Sequence, residues 1–290
     1  MQRLLQVCSR VSLGVACLVG LCHAQDFQVP AAAVSAGDEA DISTTGSGKA
    51  TFYLIGPGVS RKSEVNLGES IRLQAQDTRT AGEYLASVCS SSCRSAGFYV
   101  NAAKPASLTF LVHPSRVPVA QPDAVSGVAL PFDQFHNLVL HPLTVNFQLS
   151  AGNALLLSRS VPTQNGAAWF RALSGKSAGL LQVTAAVDDL SARRAVQQVA
   201  SDPCNLRITG QRTKVGISVQ TEPVRDCAGN SVPDGTIVTF TATTANGKSS
   251  VDAPIKRGVA QAQMLASGAA SISAASGVVM GNEVRVGAQP

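Results

Sequence analysis

The side chains with the widest scope for chemistry are seven cysteines. Cys8, Cys17 and Cys22 fall in the first two dozen positions, leaving Cys89, Cys93, Cys204 and Cys227 in the rest of the chain. An even set of thiols in an exported chain reads as disulfides. Four cysteines permit three pairings, and proximity favours Cys89 with Cys93 and Cys204 with Cys227. Val88-Cys89-Ser90-Ser91-Ser92-Cys93 reads as two strand ends joined by a three-serine loop, which brings the two Cα atoms within disulfide range. The second pair closes a loop of about two dozen residues. Zinc is the competing use of these thiols, but neither pair has the C-x₂-C spacing of a zinc knuckle and the histidines lie elsewhere. A redox-active pair is disfavoured on the same ground.

Beyond the N-terminal segment the histidines are His113, His136 and His141. His136 and His141 flank a strand-like segment five residues apart, so their side chains fall on opposite faces and make poor joint ligands. No H-E-x-x-H or phosphate-loop sequence occurs. The expectation is therefore a chain that is not an enzyme, with no catalytic, cofactor-binding or metal residues. Sugar binding depends on exposed aromatic rings. Trp169, the one tryptophan, sits on a glycine-led strand where the pattern assigns it to the core. Tyr53, Tyr84 and Tyr99 place any aromatic platform in the first module.

The elements that position these residues begin with a targeting signal. Arg3 and Arg10 give a positive start, Val11 to Cys22 is almost uninterruptedly apolar, and Cys22-His23-Ala24 supplies small residues for cleavage after Ala24. The apolar run is about 12 residues, too short to span a membrane as a helix, and no longer one follows, so no membrane span is expected after cleavage. The formal charge is +5, and losing Arg3 and Arg10 leaves +3, too slight and dispersed for a nucleic-acid partner. Charged residues make up 14% and aromatics 4%, a balance that favours thin β-sandwiches over helical bundles.

Residues 25–50 are rich in Ala, Ser, Gly, Thr and Asp without a hydrophobic period, and read as a flexible leader. Residues 51–103 then form a small β module, beginning at Thr51-Phe52-Tyr53-Leu54-Ile55, with period-two alternation at Ile71, Leu73 and Ala75. A hinge at Ala103-Lys104-Pro105-Ala106 opens a module over 104–200, and Asp202-Pro203 marks the junction to another over 201–290. These last two carry an internal repeat. Asp133-Gln-Phe-His-Asn137 precedes Val145-Asn-Phe147, and Asp226-Cys-Ala-Gly-Asn230 precedes Val238-Thr-Phe240, with identical spacings and a period of 93 residues. Gly166 and Gly258 each open a further alternating strand. A period of this length means tandem domains, since solenoid repeats run to about 20–50 residues. Val145, Phe147 and Leu149, and Val238, Phe240 and Ala242, are assigned inward. The fold class is all-β, with tandem β-sandwich modules.

Asp226-Cys-Ala-Gly-Asn230-Ser-Val-Pro-Asp-Gly235-Thr-Ile-Val-Thr-Phe240, followed by Lys256-Arg-Gly258-Val-Ala260, resembles the motif of bacterial immunoglobulin-like domains of the invasin and intimin type. The resemblance covers 202–287 well and 104–200 more loosely. The earlier copy lacks the glycine before Asn137 and carries Leu138-Val139-Leu140-His141 where the second turn belongs. It implies immunoglobulin-like sandwiches acting largely as rigid spacers. The residue types have a physical reason of their own. Asp and Asn bond nearby backbone, Gly supplies positive φ, and Val and Phe two apart bury on one face. Asp226 and Asn230 read as turn formers. Calcium is the sharper alternative, but two residues supply far fewer oxygens than the ion takes.

The sequence thus predicts an exported, non-catalytic protein of adhesion, spacing or extracellular scaffolding, at the surface, outside the cell or in the periplasm, whose partner is an unknown surface protein or polysaccharide. A carbohydrate-binding or enzyme-accessory module is the alternative.

Overall fold

A computed structural model describes residues 27–288, and all regular structure among them is β-strand. The signal segment expected over residues 1–24 lies outside the described residues. Two compact units divide after Val100.

In the first unit, a five-stranded sheet runs in the order Val34–Ser35, Cys93–Asn101, Gly82–Cys89, Lys49–Gly56, Val59–Asn66. A three-stranded sheet of Phe27–Gln28, Ala40–Thr44 and Ser70–Leu73 completes the module. The strand Lys49–Gly56 buries Ala50, Phe52 and Leu54 and leaves the intervening residues outward, as a period of two requires. Tyr84 is buried, and its hydroxyl donates to the carbonyl of Thr80 at 2.8 Å, an arrangement like the tyrosine corner of sandwich folds. Arg61 pairs with the buried carboxylate of Asp77 at 2.7 Å.

The flexible leader expected over residues 25–50 is corrected here. Three short strands fall within it, pairing Phe27 with Thr44 and Ile42 with Ile71. Val34, Ala36 and Ile42 are buried. Small residues and serines hid the alternation, because only Ile42 in Ala40–Thr44 carries a large apolar side chain; Thr44 is buried by bonding the Glu69 carbonyl.

The second unit holds two separate hydrophobic cores. Around the first, a five-stranded sheet runs Arg116–Pro118, Leu190–Val199, Gly179–Val187, Thr144–Ala151, Ala154–Pro162. A three-stranded sheet of Ala168–Ala172, Val125–Phe132 and Ser107–His113 closes it. Between them Phe147 packs on Phe170 and Phe110, with ring centroids 4.7 and 6.0 Å away. Around the second core, Gly247–Pro254, Ile237–Thr244 and Ala270–Ser276 form one sheet, with Val279–Met280 and Val284–Val286 both paired to the last strand. Ile208–Thr213, Gly216–Thr221 and Gln261–Met264 form the other. Val238, Phe240 and Ala242 are fully buried there, as are Val145, Phe147 and Leu149 in the preceding core.

Candidate functional site

The repeated Asp-x-x-x-Asn segments lie at the entrances of the two sandwiches of the second unit. In the later copy the backbone forms a tight turn, Asp226 N–H donating to the Asn230 carbonyl and Gly229 N–H to the Asp226 carbonyl. The Asp226 carboxylate fills that turn. Its Oδ1 accepts N–H bonds from Ala228 at 2.9 Å and Asn230 at 2.8 Å, while Oδ2 accepts the N–H of Ser201 at 3.0 Å. The Asn230 amide adds bonds to both oxygens at 3.1 to 3.2 Å.

The earlier copy repeats the turn bonds and again takes a backbone N–H from the incoming chain. Asp133 Oδ1 accepts from Phe135 and Asn137 N–H at 2.8 Å, and Oδ2 accepts from Ala103 N–H at 3.0 Å and the Asn137 amide at 2.8 Å. Each aspartate therefore ties its own turn to the chain segment that leads into its module. The glycine missing before Asn137 is replaced by His136, which takes the left-handed conformation itself at φ 66°, where Gly229 has φ 87°; histidine is among the residues that tolerate it best.

Both carboxylates are almost wholly buried, with 1% of Asp133 and 4% of Asp226 exposed. Burial pushes each carboxyl upward, but the bonds they accept outweigh it, and both titrate below the ordinary 3.8. For Asp133 the Asn137 side chain leads those bonds, followed by the N–H groups of Asn137, Ala103 and Phe135. For Asp226 the Asn230 and Ser201 N–H groups come first.

Asn230 then reaches out of its module. Its Nδ2 donates to the Lys176 carbonyl at 2.9 Å and its Oδ1 accepts the Ala178 N–H at 3.0 Å, both on a loop of the preceding sandwich. That loop is itself braced by Gln198, whose side chain bonds the Gly175 N–H and the Ser177 carbonyl, and by the buried Ser174, whose hydroxyl donates to the Pro118 carbonyl. Ser201 donates its hydroxyl to the Val119 carbonyl at 2.7 Å. The linker, the turn of the later module and the loop of the earlier one are thus joined by a continuous run of hydrogen bonds.

Disulfides join Cys89 to Cys93 and Cys204 to Cys227. The first closes a hairpin between directly paired residues. The second lies beside the joint, where Pro203–Asn205 pairs with Arg225–Asp226, so it holds the start of the last module against its own motif turn. Its sequence separation of 23 corresponds to about 3 kcal/mol of loop-closure entropy. Replacing Cys204 and Cys227 by serine is expected to lower the unfolding free energy of the last module by about that amount, measured by denaturant titration, with the Phe147 core unaffected.

Gly166 and Gly258 have φ 79° and 81°, and the residues before them, Asn165 and Arg257, also have positive φ. Two successive positive φ values between the paired residues Gln164 and Ala167, and between Lys256 and Val259, make two-residue type I′ turns. Gly235 sits at φ 92° in a turn closed by Thr236 N–H on the Pro233 carbonyl. Gly166 and Gly258 therefore lie in the turns that precede their strands and do not open the strands as expected, although Asn165-Gly166 is the strongest two-residue signal for such a turn. The loop at Lys176–Ala178 and the partners Ser201 and Gln198 carried no signal in the sequence, since bonds through backbone groups leave no residue type behind.

Two aromatic assignments are corrected. Trp169 is 63% exposed and points out from the three-stranded sheet of the Phe147 module, while its neighbours Ala168 and Phe170 take the inward positions. The residue after the turn sets the phase of this strand, and Ala168, too small to mark a face, concealed it. The expected platform in the first module is not formed by its tyrosines together, because Tyr84 is core; Tyr99 is exposed and Tyr53 is half-buried beneath the Lys62 ammonium. Among the described residues no group of three or more His, Cys, Asp or Glu side chains is placed to hold a metal ion.

Paired sheets around separate cores, with a tyrosine corner and linked entrance turns, define a tandem immunoglobulin-like β-sandwich protein. No family model matches the sequence, and no curated protein matches it. Among solved structures the chain is similar to FdeC, described as a broadly conserved Escherichia coli adhesin, at TM-score 0.64 and 14% identity over 92% of this chain and 97% of that one. It also aligns with invasin, described as a bacterial integrin-binding protein, at 0.48 and 11% identity over 92% of this chain and 60% of that one. Yersinia pseudotuberculosis InvD aligns at 0.46 and 12% identity, over 89% and 96%. The fold assignment rests on the first of these.

Proposed function

We propose that this is an exported, non-catalytic protein of cell-surface adhesion, spacing or extracellular scaffolding, and that within this range the second unit works as a rigid spacer. The observation that carries the reading is the joint at Asn230 and Ser201, where side chains of one module and its linker bond the backbone of the module before. A linker without such bonds leaves neighbouring modules free to reorient, whereas a bonded one passes position from one to the next. The adhesin fold of FdeC supports the surface role, and the apolar segment Val11 to Cys22 supports export. No helix among the described residues is long and apolar enough to cross a membrane.

The test measures distances between spin labels at the exposed positions Gln182 and Lys248. A narrow distribution is expected for the native joint. Asn230→Ala removes two bonds between modules, together worth about 1–3 kcal/mol, and should broaden it while both cores stay folded. An equally broad distribution in the unmodified protein defeats the spacer reading.

A further inference from the structure

The outward face of the three-stranded sheet beside the Phe147 core carries exposed large apolar side chains next to an arginine. The register sets Trp169, Val128 and Leu111 in one row across the strands, and Arg171, Ser126 and His113 in the next. Trp169 and Leu111 are 63% and 57% exposed. The two rows line a shallow concavity of about 630 Å³. Strands lie about 4.8 Å apart and residues two apart on one strand about 6.7 Å apart. The apolar row is therefore about 10 Å long and one residue deep. A stable protein interface covers roughly 800 Å² per partner, several times what such a row offers, so neither a second copy of this chain nor a folded partner is well matched to it.

The chemistry beside the row selects a different occupant. None of the three strands contains an acidic residue, and Arg171 has no carboxylate partner among the described residues, where the ion pairs are all in the first unit. A flat indole with an unneutralised guanidinium one row away is complementary to a ligand that has a flat apolar face and a carboxylate about one ring-width from it. A pyranose bearing a carboxyl group has both. The geometry points to a binding site for acidic glycans on this face, with the CH face of a uronic- or sialic-acid ring stacked on Trp169, its carboxylate paired with Arg171, and hydroxyls within reach of Ser126 and His113. Arginine suits this role because its planar fork meets a carboxylate bidentately. The site is independent of the spacer reading, because the joint does not include any residue of this face and a rigid joint needs no ligand.

Trp169 is the only tryptophan in the chain, so indole fluorescence of the whole mature protein reports on this site alone. Polygalacturonate, hyaluronan and polysialic acid are titrated against it, with cellohexaose and chitohexaose as neutral sugars and polyaspartate as an acid without sugar rings. At least one acidic glycan is expected to shift the emission saturably, with the neutral sugars and polyaspartate at least about tenfold weaker, the discrimination that 1.4 kcal/mol provides. Trp169→Ala and Arg171→Gln, each read by calorimetry because the first removes the fluorophore, should both weaken binding by about tenfold or more. Both positions are exposed, and circular dichroism melts confirm that the variants fold. Four results overturn the site: no acidic glycan binding, polyaspartate binding equally well, neutral sugars binding equally well with Arg171→Gln unaffected, or a dimer in sedimentation velocity that Trp169→Ala dissociates.

Discussion

Phe240→Ala is expected to lower the stability of the last module by about 3–5 kcal/mol, and to leave the preceding module almost untouched. The ring is fully buried in a core that runs from Leu206 to Val286 and contains no residue of the neighbouring one. Removing it forfeits the transfer free energy of the ring and leaves a void that the flanking strands close only in part. A domain of this size has a total stability of about 4–13 kcal/mol at the usual value per residue, so the loss is a large share of what exists. Hydrogen exchange read peptide by peptide separates the two modules. In Phe240→Ala the strand Ile237–Thr244 should lose protection while Thr144–Ala151 keeps it, and Phe147→Ala should do the reverse, with the added loss of its ring contacts to Phe110 and Phe170. Equal loss in both strands from either variant would mean a single cooperative core and would remove the tandem account.

Asp226→Ala carries the second large effect. It deprives the N–H groups of Ser201, Ala228 and Asn230 and the Asn230 amide of their acceptor in a nearly closed environment. An unmade buried bond costs about 1–3 kcal/mol, and water entering the space left behind recovers part of it, so a net loss of about 2–4 kcal/mol is expected on denaturant titration. Asp226→Asn should cost nearly as much, because its new NH₂ group faces donors. Acid reproduces the effect. The folded carboxyl titrates below the ordinary 3.8, so its contribution is present in full above that pH and disappears as the pH falls through the lower folded value. Stability of the last module should therefore drop steeply below pH 3.8 in the native protein and less steeply in Asp226→Ala. A variant within about 0.5 kcal/mol of the native protein, the ordinary range for surface changes, would show that the carboxylate only decorates the turn.

The sheet architecture was legible where large apolar residues alternate. Val145, Phe147 and Leu149, and Val238, Phe240 and Ala242, declare their buried face by period alone, and the matched spacing of Asp133 to Phe147 with Asp226 to Phe240 declares the repeat. Legibility failed where small residues carried the pattern. Ala40–Thr44 looked structureless because alanine and serine mark no face, and Ala168 let Trp169 be assigned to the wrong side of its strand. The joint was half legible. Asp226 and Asn230 stand out as types, but their partners are backbone groups of Ser201, Lys176 and Ala178, brought there by folding.

That joint has a modular consequence. The carboxylate that fastens the incoming chain belongs to the module being entered, as Asp133 does for Ala103 and Asp226 for Ser201. Copying one 93-residue segment by recombination therefore copies its own coupling as well, and an array built this way could change its length in a single genetic event.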